Sequence, residues 1–154
     1  MQEYKQHGIG FAYPEHWTLE ENTMGTMEGN VSVSNEQGAF WTLTKYPDGI
    51  DPDDVVREVL ETMQSEYANL EWDRFEKVVS DKWVVGVEMT FFYLDLMNLA
   101  TVLCFEQEGQ TYAVFWQTGN QLILHDGKTI PAEKVMETIT LSLLCGNSRA
   151  ETAV

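Results

Sequence analysis

The sequence predicts an α+β fold: an antiparallel β-sheet of about six to seven strands with helices packed on its faces. Three observations predict it. Residues 82–118 hold three runs rich in Val, Phe, Tyr, Trp and Thr, joined by tight connections, which is the pattern of an antiparallel meander. Shorter alternating runs occupy residues 9–46. Between the two groups, Asp51-Pro52 opens a stretch with helical period, and a second such stretch lies near the end of the chain.

The N-terminal strands come first. Ile9, Phe11 and Tyr13 alternate on one side of a short run that ends at Pro14, which cannot donate to a strand ladder. Trp17 to Glu20 resume the alternation. Residues 22–30 are rich in Gly, Asn and Thr and read as a loop. Residues 30–34 and 39–46 form the next two strands, separated by a turn at 35–38. The Tyr46-Pro-Asp-Gly49 segment then breaks the pattern.

The helix that follows has a good N-cap in Asp51, Pro52 in its first turn, and Asp53 and Asp54 to complement its positive end. Val55, Val56, Val59, Leu60, Met63 and Tyr67 form one apolar stripe that should pack on the sheet. Residues 70–79 alternate Leu70 and Trp72 with charged neighbours and read as an exposed edge strand.

In the meander, Glu108-Gly109 suits a two-residue hairpin turn that pairs Gln107 with Gln110. Phe105 then faces Tyr112, Leu103 faces Val114, and Thr101 faces Trp116. A four-residue loop at 95–98 puts Glu88, Thr90, Phe92 and Leu94 on the same, mixed face. The opposite face carries Val85, Val87, Met89, Phe91, Tyr93, Val102, Cys104, Ala113 and Phe115, and is assigned to the core. A loop spans 119–129. Pro131 opens a helix through about Leu143, with Val135, Met136, Ile139 and Leu143 on one face and Gly146 as a natural stop. This gives one domain over 1–146 and a disordered tail over 147–154.

The 154 residues carry nine Lys and Arg against 25 Asp and Glu, a net charge of −16. So few cations disfavour nucleic acid and anionic membrane surfaces. A basic partner, a metal ion or simple solubility are the positive readings. The two cysteines, Cys104 and Cys145, form no metal or redox motif. The N-terminus has no basic-then-apolar leader pattern, and no apolar run approaches the ~18 residues of a membrane span. The expectation is a cytoplasmic protein without membrane insertion.

Several segments together resemble the PsbP-like α/β superfamily, which includes PsbP, a Ran-binding nuclear-import factor and DcrB-like bacterial proteins. They are Gly10-Phe-Ala-Tyr-Pro-Glu-His-Trp17, the Asp51-Pro52 helix start, Gly86-x-Glu-x-Thr-Phe, the Gly109-x-x-Tyr112 hairpin and Lys134-Val-Met-Glu-Thr-Ile139. The resemblance spans about residues 8–144. It implies an antiparallel sheet with helices on its faces, and binding or assembly rather than catalysis. No Ran-contact residue carries over.

Catalytic motifs are incomplete. Gly127-Lys128-Thr129 resembles the end of a phosphate loop, but Leu122 stands where the first Gly is required. Gly8-Ile-Gly10 lacks the third Gly of a dinucleotide site. His125-Asp126 has no Gly-x-Ser-x-Gly elbow beside it, so a hydrolase would need His125 next to a nucleophile in a cleft. Asp48, Asp51, Asp53 and Asp54 offer oxygens for Ca²⁺ without the spacing of its loop, and helix capping accounts for three of them.

The mixed face therefore supplies the candidate site, with Glu88, Phe92, Tyr112 and Trp116 as binding residues. Either it is open to a partner, or the second helix or the N-terminal strands cover it. The resulting expectation is a non-enzymatic binding or assembly protein with a protein partner and no cofactor, metal or catalytic residue. The alternative is a small-molecule or lipid-binding protein with a pocket between sheet and helix.

Overall fold

The alternating runs pair into a seven-stranded antiparallel sheet, and a small two-stranded sheet and two helices complete an α+β fold. The computed structural model describes residues 1–25, 28–118 and 132–152. The order of elements is β1 (Gln2–Gln6), β2 (Ile9–Tyr13), β3 (Thr18–Asn22), β4 (Gly29–Ser34), β5 (Phe40–Lys45), α1 (Pro52–Glu66), β6 (Glu71–Val79), β7 (Lys82–Tyr93), β8 (Leu96–Gln107), β9 (Gln110–Gln117) and α2 (Ala132–Thr152). The large sheet runs β3-β4-β5-β9-β8-β7-β6, so the charged strand β6 lies at an edge, as its sequence predicts. The small sheet pairs β1 with β2.

The strand β1 is not foreseen from the sequence. Its five residues contain one buried side chain, Tyr4, so no alternation announces it. The turn at His7-Gly8 has positive φ at both residues, 54° and 79°, as a tight hairpin requires.

The meander registers as expected at its second turn, with Gln107 opposite Gln110, Phe105 opposite Tyr112 and Thr101 opposite Trp116. The first turn differs. Leu94-Asp95 forms a two-residue turn that closes with Tyr93 opposite Leu96, in place of a four-residue loop at 95–98. The register therefore slides by an even number of residues. Side chains alternate with period 2, so both faces keep their expected membership except for Leu94, which enters the turn.

Helix α1 covers one face. Asp51 caps it, with Oδ1 accepting from the Asp53 backbone N–H at 2.9 Å. Val55, Val56, Leu60 and Met63 pack with Val85, Val87, Met89, Phe91, Ala100, Val102, Cys104 and Ala113. The small residues Ala100, Cys104 and Ala113 let the helix approach closely. Arg74 ties the edge strand to this helix by pairing with Asp53, and it also pairs with Glu76.

The other face is covered by α2 together with β1 and β2. Met136, Ile139, Leu143 and Leu144 pack over Trp41, Leu43, Leu103, Phe105, Tyr112, Val114 and Trp116. Three hydrogen bonds fix the cover. Trp41 Nε1 donates to Thr140 Oγ1 at 3.0 Å, the Ala12 N–H donates to Ser142 Oγ at 2.9 Å, and Lys82 Nζ donates to the Leu144 carbonyl at 2.9 Å. Helix α2 continues through Gly146 to Thr152, so the stop expected there and most of the tail expected at 147–154 fall within the helix. A Gly costs a helix about 1 kcal/mol and need not end it.

One close approach holds the edge. Phe75 on β6 lies opposite Gly86 on β7, and a Cβ at Gly86 would collide with the Phe75 ring and sit 2.5 Å from the Val102 carbonyl oxygen. Glycine is the residue that fits there.

Candidate functional site: the β7–β8 hairpin tip

The predicted site residues share one face but not one environment. Glu88, Thr101 and Trp116 lie in one row across β7, β8 and β9. Trp116 and Tyr112 are buried, at 7% and 5% exposure, in the core under α2 and β1–β2. Tyr112 stacks on Phe105 with ring centroids 5.7 Å apart. Burial, and secondarily the Glu108 carboxylate, raise its hydroxyl pKa. Among the described residues, Trp116 Nε1 is buried without a hydrogen-bond acceptor.

Glu88 and Phe92 lie on the open part of the face. Glu88 sits near the start of α2. There, burial and the Glu137 and Glu88 carboxylates raise the Glu133 carboxyl above its usual range. The mixed face is thus two regions, one closed beneath a helix and one open along the hairpin.

The open region ends in the β7–β8 tip. Phe92, Tyr93, Leu94, Leu96 and Met97 are all between 42% and 77% exposed. Scattered apolar residues on a surface are ordinary, but five within six positions form a patch. The backbone there has the positive-φ turn geometry also found at His7-Gly8, Ser80-Asp81 and Glu108-Gly109, but with a Leu in the first turn position. Leu94 and Asp95 have φ of 53° and 63°. Such turns favour Asn and Gly, whereas Leu in the left-handed region costs about 1–2 kcal/mol. Hydrogen bonds brace the β8 side of the tip and its base. Buried Asn98 donates from Nδ2 to the Leu96 carbonyl at 3.1 Å. Thr118 accepts from the Leu99 N–H at 2.9 Å and donates its own backbone N–H to the Leu99 carbonyl.

Behind the tip lies a cavity of about 250 Å³, lined by Glu66 and Tyr67 at the end of α1, by Ala68 and Asn69 just after it, and by Phe91, Phe92, Tyr93 and Leu94 from β7 and its turn. Tyr67 stacks on Phe91 with centroids 4.1 Å apart, and it meets Tyr93 nearly at right angles, 88°, at 6.2 Å. Sequence reasoning missed Tyr93, Leu94, Leu96 and Met97 as surface residues, whereas Tyr67 packs half-buried against the sheet as its place in the α1 stripe predicts. The available signal was the uninterrupted apolar run 91–94 followed by Leu96-Met97, which exceeds what a two-faced strand needs.

Three of the four aspartates considered for Ca²⁺ are engaged otherwise: Asp51 caps α1, Asp53 pairs with Arg74, and Asp54 pairs with Arg57. Among the described residues, no three His, Cys, Asp or Glu side chains converge as a metal site. Cys104 and Cys145 are both free thiols. Burial, then the Asp53 carboxylate, pushes the Cys104 thiol up to about 12. His125, Asp126 and the Gly127-Lys128-Thr129 segment lie outside the described residues. Among the described residues, no helix is long and apolar enough to cross a membrane.

No protein family and no curated protein matches the chain. Among solved structures, it is similar to PA94 of Pseudomonas aeruginosa, whose function is unknown. The identity is 14% and the TM-score 0.42, over 77% of this chain and 83% of that one. It is also similar to LpqN, involved in cell envelope biogenesis of Mycobacterium tuberculosis. That identity is 11% and the TM-score 0.46, over 88% and 79% of the two chains. Likeness at this level assigns neither a family nor an activity.

Proposed function

We propose that the protein is a non-enzymatic binding or assembly module that engages a protein partner through the β7–β8 tip. One observation carries this reading: five large apolar side chains stand exposed on a hairpin whose turn holds Leu94 in a left-handed conformation. Strain retained at an exposed position is commonly tied to function. The resemblance to the PsbP-like superfamily supports the same class, since its members mostly bind or assemble. Phe92 is the anchor and Glu88 lies along the approach. Tyr112 and Trp116, buried under α2 on the same face, belong to its covered part and are not contact residues in this reading. The proposed location is the cytoplasm.

The second reading, a small-molecule or lipid carrier, is favoured only by the cavity between α1 and β7. At about 250 Å³ it falls below the usual range for drug-sized ligands.

Site-specific photo-crosslinking in the source cells tests the proposal. A photoreactive residue at Leu94 is expected to give one dominant protein adduct, and Phe92→Ser with Met97→Ser is expected to abolish it. The same residue at Leu141, exposed on α2, is the control. Equal adducts at both positions, or none at Leu94, would contradict the proposal.

A further inference from the structure

The cavity behind the tip has a chemical preference of its own. Tyr67 and Tyr93 are perpendicular walls, and Phe91 backs Tyr67. Aromatic faces carry negative quadrupole density and attract cations. Glu66 adds a carboxylate, and none of the eight lining residues is basic.

The end of α1 contributes a third, independent term. Glu66 is the last residue of that helix and Tyr67 its C-cap. The final carbonyls of a helix carry partial negative charge, which Lys, Arg or His in the last turn often offsets. Helix α1 has no basic residue in its last turn. Aromatic walls, a carboxylate and a helix C-terminus without a basic side chain therefore meet at one cavity of about 250 Å³. The chain's net charge of −16 biases every approach in the same direction.

We infer that this corner is a cation-binding subsite that receives an arginine or lysine side chain of the protein partner, while the exposed tip packs against apolar residues beside it. This deepens the binding reading above and rests on it. The subsite would make the partner basic as well as apolar, and it would select against neutral competitors.

The test uses small probes, so it does not need the partner. The aromatic ring signals of Tyr67, Phe91 and Tyr93 are followed by NMR during titration with n-butylguanidinium and, separately, the neutral isostere n-butylurea. The inference predicts saturable shifts confined to these rings with the cation and affinity for the neutral probe about fivefold or more lower. Glu66→Gln and Tyr93→Leu, both at the cavity rim, are each expected to reduce that preference while the remaining spectrum stays folded. Equal binding of both probes, or no shift with either, would overturn the inference. Crosslinking at Leu94 would be unaffected by such a failure, so the two claims can fail separately.

Discussion

The two ends of one sheet face differ in what stands over them. At the β5–β9–β8 end, Trp41, Phe105, Tyr112 and Trp116 lie under α2 and the β1–β2 hairpin. At the β7–β8 tip, Phe92 and Met97 stand in solvent on the same face. The residue types are alike, so composition alone does not separate core from contact surface. Position relative to the covering elements separates them. Aromatics under α2 contribute to folding, whereas aromatics beyond its reach are available for recognition.

The comparison predicts unequal costs of mutation. Phe105→Ala in the covered region is expected to lower unfolding free energy by about 3–5 kcal/mol, measured by denaturant unfolding. Its ring is fully buried, and its loss leaves a cavity beneath α2. Gly86→Ala is expected to cost about 1–3 kcal/mol, because the new methyl collides with the Phe75 ring and the Val102 carbonyl. A small cost there would mean that the edge strand is looser than its packing indicates.

Alkaline pH probes the covered regions without mutation. Burial, assisted by Glu21, raises the Tyr4 hydroxyl to about 12, and burial chiefly raises Tyr46, Tyr112 and the Cys104 thiol. These groups ionise more readily in the unfolded chain, so above their ordinary values the unfolded state binds fewer protons. Their contribution to stability is present at neutral pH and is lost as pH rises from about 9, the ordinary Cys value, through about 12, the raised folded value. Thermal melts across that range are expected to show a falling midpoint. A flat profile would mean these side chains are hydrated.

The tip should behave in the opposite way. Leu94→Asn relieves the left-handed strain and is expected to stabilise the fold by about 1 kcal/mol. The same change is expected to weaken the Leu94-region contact in partner crosslinking. Phe92→Ser is expected to change stability by less than about 0.5 kcal/mol, since its ring is mostly in solvent. A large loss of stability would mean that Phe92 is part of the core.

Much of the fold was legible because period-2 alternation survives small errors. The misplaced first hairpin loop moved the register by an even number of residues, so Val85, Val87, Met89 and Phe91 still face α1. The α1 start was legible because Asp51 and Pro52 act locally. Strand β1 was not, because Tyr4 is its one buried side chain. The cover over Tyr112 and Trp116 is not legible in the sequence, because helix placement is a tertiary matter that strand alternation does not encode. The tip was missed because Leu94-Asp95 lacks the Asn and Gly that usually announce such a turn.

Hydroxyl-radical footprinting of the native protein, resolved by residue, tests the division of this face most directly. The structure predicts rapid oxidation of Phe92, Tyr93 and Met97, with Tyr112 and Trp116 protected until the protein unfolds. Comparable oxidation of Trp116 and Met97 in the folded protein would contradict it, because the mixed face would then be open along its whole length and the tip would hold no special place.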